Sequence, residues 1–281
     1  MRNDLIVLMG EHRYAVDCPW GTLPEGQSFG PLSQIAVDSF GRVYVFQRSN
    51  PPVLVFSPDG VLIDTFGEGL FSDAHGIFVT RDDLILLVDR DAHEIIACES
   101  SGAVRFRLGQ RHQPQFNQPF NHPTHIAQAP NGDFYISDGY GNSNVHCFGA
   151  DGVFRFSWGR QGSGPGEFTT PHAVWVDSSE RVLVADRENN RVQLFDLEGG
   201  FIEAWNDFYH PMDIFGDVQG NIFVTDQIPR LSMMSSEGRL IGRCRPVRFG
   251  AHGIGGDADG NLYLAETAPL DCVTRLRLLD N

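Results

Sequence analysis

The sequence predicts an all-β chain built as a six-bladed β-propeller. Three observations predict it. A hairpin pattern of apolar strand, tight polar turn and second apolar strand recurs six times. The second strand of each hairpin closes on an acid or its amide, at Gln47, Asp89, Asp138, Asp186, Asp226 and Glu266. Counting back from those ends aligns one first-strand position per repeat: Ser33, His75, Thr124, His172, Met212 and His252, spaced by 42, 49, 48, 40 and 40 residues, the period of propeller blades.

The elements follow in order. Residues 1–29 lack a full repeat, but Tyr14-Ala15-Val16-Asp17-Cys18-Pro19-Trp20-Gly21 resembles the last strand of other repeats. The final repeat, residues 250–281, is one strand short. The N-terminal strand is therefore expected to complete the last blade, joining the two chain ends and removing an open edge. The first repeat spans 30–71, with strands near Ser33–Asp38, Val43–Gln47, Val53–Phe56 and Leu62–Phe66. Its hairpin turn carries Gly41, and later turns carry Asn131-Gly132, Gln219-Gly220 and Asp259-Gly260, because tight turns need positive φ. The second repeat spans 72–120 and the third 121–169. Each ends in a long loop, residues 109–120 and 159–168, of the kind that shapes a binding site. Repeats four to six span 170–209, 210–249 and 250–281. No linker divides the chain, which reads as one domain over residues 1–281.

Composition excludes several classes of function. The formal net charge is −15, and no basic run exceeds two residues. This argues against nucleic acid or an anionic membrane as partner. No run reaches transmembrane length, and the first nine residues, with Asp4 and five consecutive apolar residues, lack the core of a signal peptide. The five cysteines show no CxxC spacing and read as buried small hydrophobes in a reducing compartment. A cytoplasmic monomer is expected.

Three histidines, His75, His172 and His252, occupy equivalent positions in repeats two, four and six. In a closed six-fold ring these are alternate blades, so three imidazoles converge on the axis, with an open fourth position for a tetrahedral metal ion. A single histidine there is more often a satisfied channel-lining residue; three at alternate positions favour the metal. The position after each second strand holds Arg48, Arg90, Gly139, Arg187, Gln227 and Thr267. Arg48 and Arg187 could bind a substrate carboxylate through their planar forks. The competing reading for Arg187 is a bond between neighbouring blades. Arg90 is the weaker candidate, because Asp89 and Asp91 flank it. Gly139 removes a side chain and leaves room for Tyr140, a phenol that a dication and arginines would turn into a base. Tyrosine in a turn is otherwise simple packing. His12, His93, His112, His122, His125, His146 and His210 lack three-fold partners and are expected not to be ligands, with His112 and His122 able to border the pocket.

Three segments carry a family resemblance: Ile136-Ser137-Asp138-Gly139-Tyr140-Gly141-Asn142-Ser143, Thr170-Pro171-His172-Ala173-Val174, and Val184-Ala185-Asp186-Arg187-Glu188-Asn189-Asn190-Arg191-Val192-Gln193. Together they resemble the NHL-repeat propeller of the peptidyl-α-hydroxyglycine α-amidating lyases. The resemblance extends over nearly all the blades and is strongest from His122 to Phe195. It implies an NHL-type six-bladed propeller with a zinc ion held by His75, His172 and His252. It implies Tyr140 as the catalytic tyrosine and Arg48 and Arg187 as the active-site arginines. The implied reaction splits a carbinolamide acid, R-CO-NH-CH(OH)-COO⁻, into an amide and glyoxylate. The sequence departs from the pattern in places. The family has a cysteine where this chain has Gly141, and the segment around Asp186 also lacks its cysteine, so those disulfides are missing. Gly253 stands where the family has an aspartate for a structural calcium. No monooxygenase domain is expected before the propeller, and a hydroxylated substrate is then expected to be made elsewhere. Two alternatives stand beside the lyase: a metal-dependent lactonase or esterase, and a non-catalytic NHL platform for protein binding.

Overall fold

The computed structural model describes residues 5–279. The architecture is all-β, with six antiparallel sheets. Helix is confined, among the described residues, to the 3-10 turn Arg187–Asn189. No helix among them is long and apolar enough to cross a membrane. The chain divides into two compact units, residues 69–214 and residues 1–68 with 215–281.

The 69–214 unit holds three four-stranded sheets, each with its strands in chain order. The first contains Ala74–Val79, Ile85–Asp89, Glu94–Cys98 and Val104–Gly109. The second contains His125–Gln128, Phe134–Asp138, Asn144–Phe148 and Phe154–Trp158, and the third Pro171–Val176, Val182–Asp186, Arg191–Phe195 and Phe201–Trp205. The inner strands are apolar on both faces because both faces are covered. Val182–Asp186 is buried throughout, whereas Phe154–Trp158 has exposed positions. One core joins Tyr135, Val145, Phe168, Val174, Val184 and Phe195; another joins Leu86, Ile95, Phe120, Ile136 and Phe148.

The other unit contains the sheet Leu32–Val37, Val43–Gln47, Val53–Phe56 and Leu62–Phe66, and a sheet with Ile222–Asp226, Leu231–Met234 and Leu240–Cys244 that follows the strand Pro211–Gly216. Its third sheet confirms the expected closure. His12–Trp20 pairs antiparallel with Cys272–Leu279, placing Tyr14 opposite Leu278 and Val16 opposite Leu276. Ile6–Met9 then pairs with His12–Trp20 as a fifth strand that the repeat pattern does not require.

The polar residue that ends the second strand has a structural role in five of the sheets. Asp89 accepts hydrogen bonds from the backbone N–H of Ser72 and Asp73 at 2.8 and 2.9 Å, Asp138 from that of Asn121, and Asp186 from that of Thr169. Glu266 does the same for Arg248, and Gln47 for Gly30. Each side chain thus anchors the segment leading into its own sheet, satisfying backbone donors that would otherwise be buried alone.

One expectation needs correction. All five cysteines are free, but only Cys98 and Cys147 are buried; Cys244 and Cys272 are half-buried and Cys18 is exposed. Cys18 lies where pairing between His12–Trp20 and Cys272–Leu279 is interrupted by a register shift, and its side chain is left exposed.

Candidate active site

Within the 69–214 unit, four of the expected site residues come together around one phenol oxygen. His75 and His172, each 2% exposed, sit on the first strands Ala74–Val79 and Pro171–Val176. His75 Nδ1 lies 2.7 Å from the Thr124 carbonyl oxygen, and His172 Nδ1 lies 2.6 Å from that of Met212. A carbonyl only accepts, so Nδ1 carries the hydrogen and Nε2 presents its lone pair. The two rings stand edge to face with centroids 5.1 Å apart, and their ligand-capable nitrogens are within 4.8 Å of one another.

Both Nε2 atoms face Tyr140. Its Oη is 3.3 Å from His75 Nε2 and 3.1 Å from His172 Nε2, and it accepts a hydrogen bond from Arg187 Nη1 at 3.2 Å. The Arg187 and Arg90 guanidinium carbons lie 5.4 and 5.3 Å from the Tyr140 ring centroid. Cations this close to an aromatic ring are attracted by its quadrupole. Tyr140 remains 39% exposed, so the cluster is open to a ligand.

The segment that carries Tyr140 is fixed by local bonds. Tyr140 N–H donates to the His122 carbonyl and Gly141 N–H to that of Asn121. Asn142 Nδ2 donates to Asp138 and to the carbonyls of Gln115 and Gln118, which ties the long 109–120 loop to the same segment. Gly139 has a reason beyond leaving space for Tyr140: a Cβ there would fall 2.2 Å from the Pro171 carbonyl oxygen, one residue before His172.

The arginines differ. Arg187 Nε bonds Glu188 at 2.9 Å while Nη1 reaches Tyr140, so its anchor is its chain neighbour. Arg90 is held by Asp73 and Asp91, and it keeps the Asp91 carboxyl below the usual carboxylate range through their hydrogen bond. Asp89, expected as a partner of Arg90, is instead committed to the backbone of the preceding segment.

The remaining expected residues lie in the other unit. His252, on Ala251–Gly256 and 9% exposed, has Nδ1 2.8 Å from the Ser33 carbonyl oxygen. This is the same Nδ1-to-carbonyl contact that His75 and His172 make. Arg48 is exposed, with its backbone N–H on the Pro31 carbonyl. The acceptors for the three histidines are Thr124, Met212 and Ser33, the three aligned positions without histidine. Sequence reasoning missed this contact, since a backbone carbonyl leaves no mark in residue identity. Other histidines have structural partners: His146 Nε2 lies 3.0 Å from Asp138, His125 Nδ1 3.0 Å from the Val174 carbonyl, and His93 Nδ1 accepts from the His122 backbone at 3.1 Å.

Comparison with known proteins supports the fold. The family DUF5128, described as a 6-bladed beta-propeller, matches residues 120–227. Human NHL repeat-containing protein 3 is 32% identical over 212 residues, covering 70% of this chain and 60% of that protein. The probable peptidyl-α-hydroxyglycine α-amidating lyase of Caenorhabditis elegans is 28% identical over 203 residues, 62% of this chain and 58% of that protein. The chain is a six-bladed β-propeller, similar in sequence to NHL-repeat proteins and to amidating lyases. Peptidyl-glycine α-amidating monooxygenase B of Xenopus laevis is 28% identical over 261 residues, 82% of this chain but 30% of its own length. The chain therefore spans under two thirds of these relatives. A solved gluconolactonase from Xanthomonas campestris has a TM-score of 0.70 over 96% of this chain and 91% of its own, at 13% identity, a likeness of fold alone.

Proposed function

We propose that the chain is a zinc-dependent lyase that cleaves the C–N bond of an N-acyl-α-hydroxyglycine-like carbinolamide, giving an amide and glyoxylate. The observation that carries this reading is the meeting of two histidine Nε2 atoms and Arg187 at the Tyr140 hydroxyl. The donor set fits a metal ion. Both imidazoles are held in the Nδ1–H tautomer, and one hydroxyl hydrogen serves at most one of the two Nε2 lone pairs that approach it. The repeat pattern gives His252 the same ligand role, and its Nδ1 makes the same kind of contact within its own unit. Zinc, when bound, would supply Lewis-acid polarisation of a substrate oxygen.

The protein's own groups do the rest. Tyr140 Oη, as phenolate, takes the proton of the substrate hydroxyl. As the hydroxyl carbon becomes the aldehyde of glyoxylate, the C–N electron pair goes to nitrogen, which takes up a proton to become the amide. The proton moves from oxygen to nitrogen, and no water is consumed. Arg187 stabilises charge on the Tyr140 oxygen and offers its fork to the substrate carboxylate, a role the repeat pattern also gives to Arg48. Arg90, already held by two acids, contributes to binding mainly by its charge beside the Tyr140 ring. The substrate is a small molecule bearing a carboxylate.

The test is glyoxylate release from an N-acyl-α-hydroxyglycine by wild type and Tyr140→Phe, with metal content measured in both. Turnover lost by about 100-fold or more, with metal retained, is the expected result for removal of a general base. Equal activity removes Tyr140 from the mechanism. A hydroxy acid formed from a lactone, without glyoxylate from the carbinolamide, would favour the hydrolase. Absence of transition metal before and after zinc addition would favour the non-catalytic platform.

A further inference from the structure

A second cluster of metal-ligating side chains, sharing no residue with the histidine set, lies in the sheet that joins the two ends of the chain. Cys18 is on His12–Trp20, Glu266 ends Leu262–Glu266, and Cys272 begins Cys272–Leu279. The two sulfurs are 3.9 Å apart. Cys18 Sγ lies 3.9 Å and Cys272 Sγ 3.8 Å from the same Glu266 oxygen, Oε1. We propose that Cys18, Cys272 and Glu266 form a binding site for a divalent transition-metal ion of the zinc class.

The triangle has the right dimensions. With metal–sulfur bonds of about 2.3 Å and metal–oxygen bonds of about 2.0–2.2 Å, a tetrahedral ion separates two sulfurs by about 3.8 Å and a sulfur from an oxygen by about 3.5 Å. The observed edges are within a few tenths of an ångström of those values. A disulfide, by contrast, needs its sulfurs at about 2.05 Å. The ligand chemistry also fits, since two thiolates with one carboxylate select a soft-to-borderline ion over calcium or magnesium.

The surroundings support the site. Glu266 is fully buried, and its carboxylate is oriented by Thr274 Oγ1, donating to Oε1 at 2.5 Å, and by the Arg248 backbone N–H, donating to Oε2 at 3.1 Å. Such outer hydrogen bonds fix the direction of a ligating carboxylate. Equivalent positions in four other repeats carry aspartate, so here the longer side chain keeps the anchoring bond and brings an oxygen between the sulfurs. Cys18 and Glu266 also line a cavity of about 400 Å³ with Arg245, Val247 and Arg248, which gives an ion an entry path. Binding releases the two thiol protons. Two thiolates, one carboxylate and a dication leave one net negative charge, which Arg245 and Arg248 in the cavity wall offset. Because the ligands come from the N-terminal strand and the last two strands, the ion would pin the sheet closed at the chain ends.

The experiment is cobalt titration of metal-stripped, reduced full-length protein, followed by absorption. The expected result is a thiolate-to-cobalt charge-transfer band in the near ultraviolet, which histidine ligands alone do not give. It should persist in His172→Ala and vanish in Cys18→Ser/Cys272→Ser with loss of one bound equivalent. The single variant Glu266→Gln guards against misfolding of the double one: it should retain the fold by circular dichroism while weakening cobalt binding. No charge-transfer band in the wild type, or a band that survives the double variant, overturns the site. A native protein two thiols short, with a mass lower by two hydrogens, also overturns it, since the pair is then a disulfide. None of these outcomes depends on the lyase reading.

Discussion

Replacing Gly139 by alanine probes how tightly the site's backbone is set. An added Cβ would lie 2.2 Å from the Pro171 carbonyl oxygen, 2.9 Å from its carbonyl carbon and 3.0 Å from its nitrogen. Ordinary carbon-to-oxygen contacts are no closer than about 3.3 Å, so the two backbones must separate by about 1 Å. All three contacts are backbone atoms, so no side chain can swing aside. Pro171 is bonded to His172, whose Nδ1 is held on Met212 and whose Nε2 faces Tyr140, and Gly139 is bonded to Tyr140 itself. The strain therefore falls on the His172–Tyr140 contact. A displacement of about 1 Å costs roughly 100-fold in turnover, or about 2.7 kcal/mol of barrier. Overpacking of this kind costs about 1–3 kcal/mol of stability, less than a typical domain's margin, so the variant should stay folded. The assay is glyoxylate release at saturating substrate, with thermal unfolding and zinc content as companions. Turnover within about twofold of wild type, in a preparation where Tyr140→Phe is inactive, would refute the coupling.

Other outcomes follow from the same contacts. Asp186→Ala removes an acceptor for the Thr169 backbone, Asn189, Arg191 and Gln193; breaking this buried pair should destabilise the fold by about 3–5 kcal/mol, read as a lowered unfolding midpoint, and an unchanged midpoint would show the anchor to be dispensable. Arg187→Ala should lower kcat/KM for the carbinolamide more than Arg90→Ala, because only Arg187 donates to the Tyr140 hydroxyl; equal losses would mean that both act through charge alone. Thiol alkylation of chelated protein near neutral pH should modify Cys18 first, its thiol lowered to about 6 chiefly by the Cys272 hydrogen bond, whereas burial pushes Cys98 and Cys147 up to about 11 and Cys244 to about 12. The latter three become reactive only as pH rises toward those values, since the thiolate is the nucleophile; peptide mass mapping that finds Cys98 first would contradict this order.

The fold was legible because hairpin strands announce themselves locally. Val182–Val184 and Ile222–Val224 are apolar runs bounded by turn residues, and an acid or its amide closes the second strand of every repeat. The pairing of residues 12–20 with 272–279 was legible by subtraction, since the last repeat lacked a strand and the N-terminus supplied one. The site was legible only where side-chain identity carries it. Tyr140, His75, His172 and Arg187 meet, and each stood out by type and position. What Asp89 and Asp73 do was not, because both are acids near Arg90 and only the chain path decides which one meets the guanidinium. The cysteines were misread for a similar reason: Cys18 and Cys272 are 254 residues apart, and nothing local tells that pairing of the terminal strands brings them together.

The alternation of histidine with other residues at the aligned positions has a physical explanation. His75 bonds the carbonyl of Thr124, His172 that of Met212, and His252 that of Ser33. The intervening positions therefore serve through the backbone, which every residue possesses, and this explains how side chains as unlike as serine, threonine and methionine fill them. A histidine needs its ring nitrogen oriented and its tautomer fixed; a carbonyl on the next sheet does both without a second polar side chain. The consequence is testable. Met212→Leu leaves the carbonyl in place and should leave metal content and turnover within about twofold of wild type, although Met212 is the partner of His172. A large loss in Met212→Leu would show that the methionine side chain, and not its carbonyl, holds the histidine.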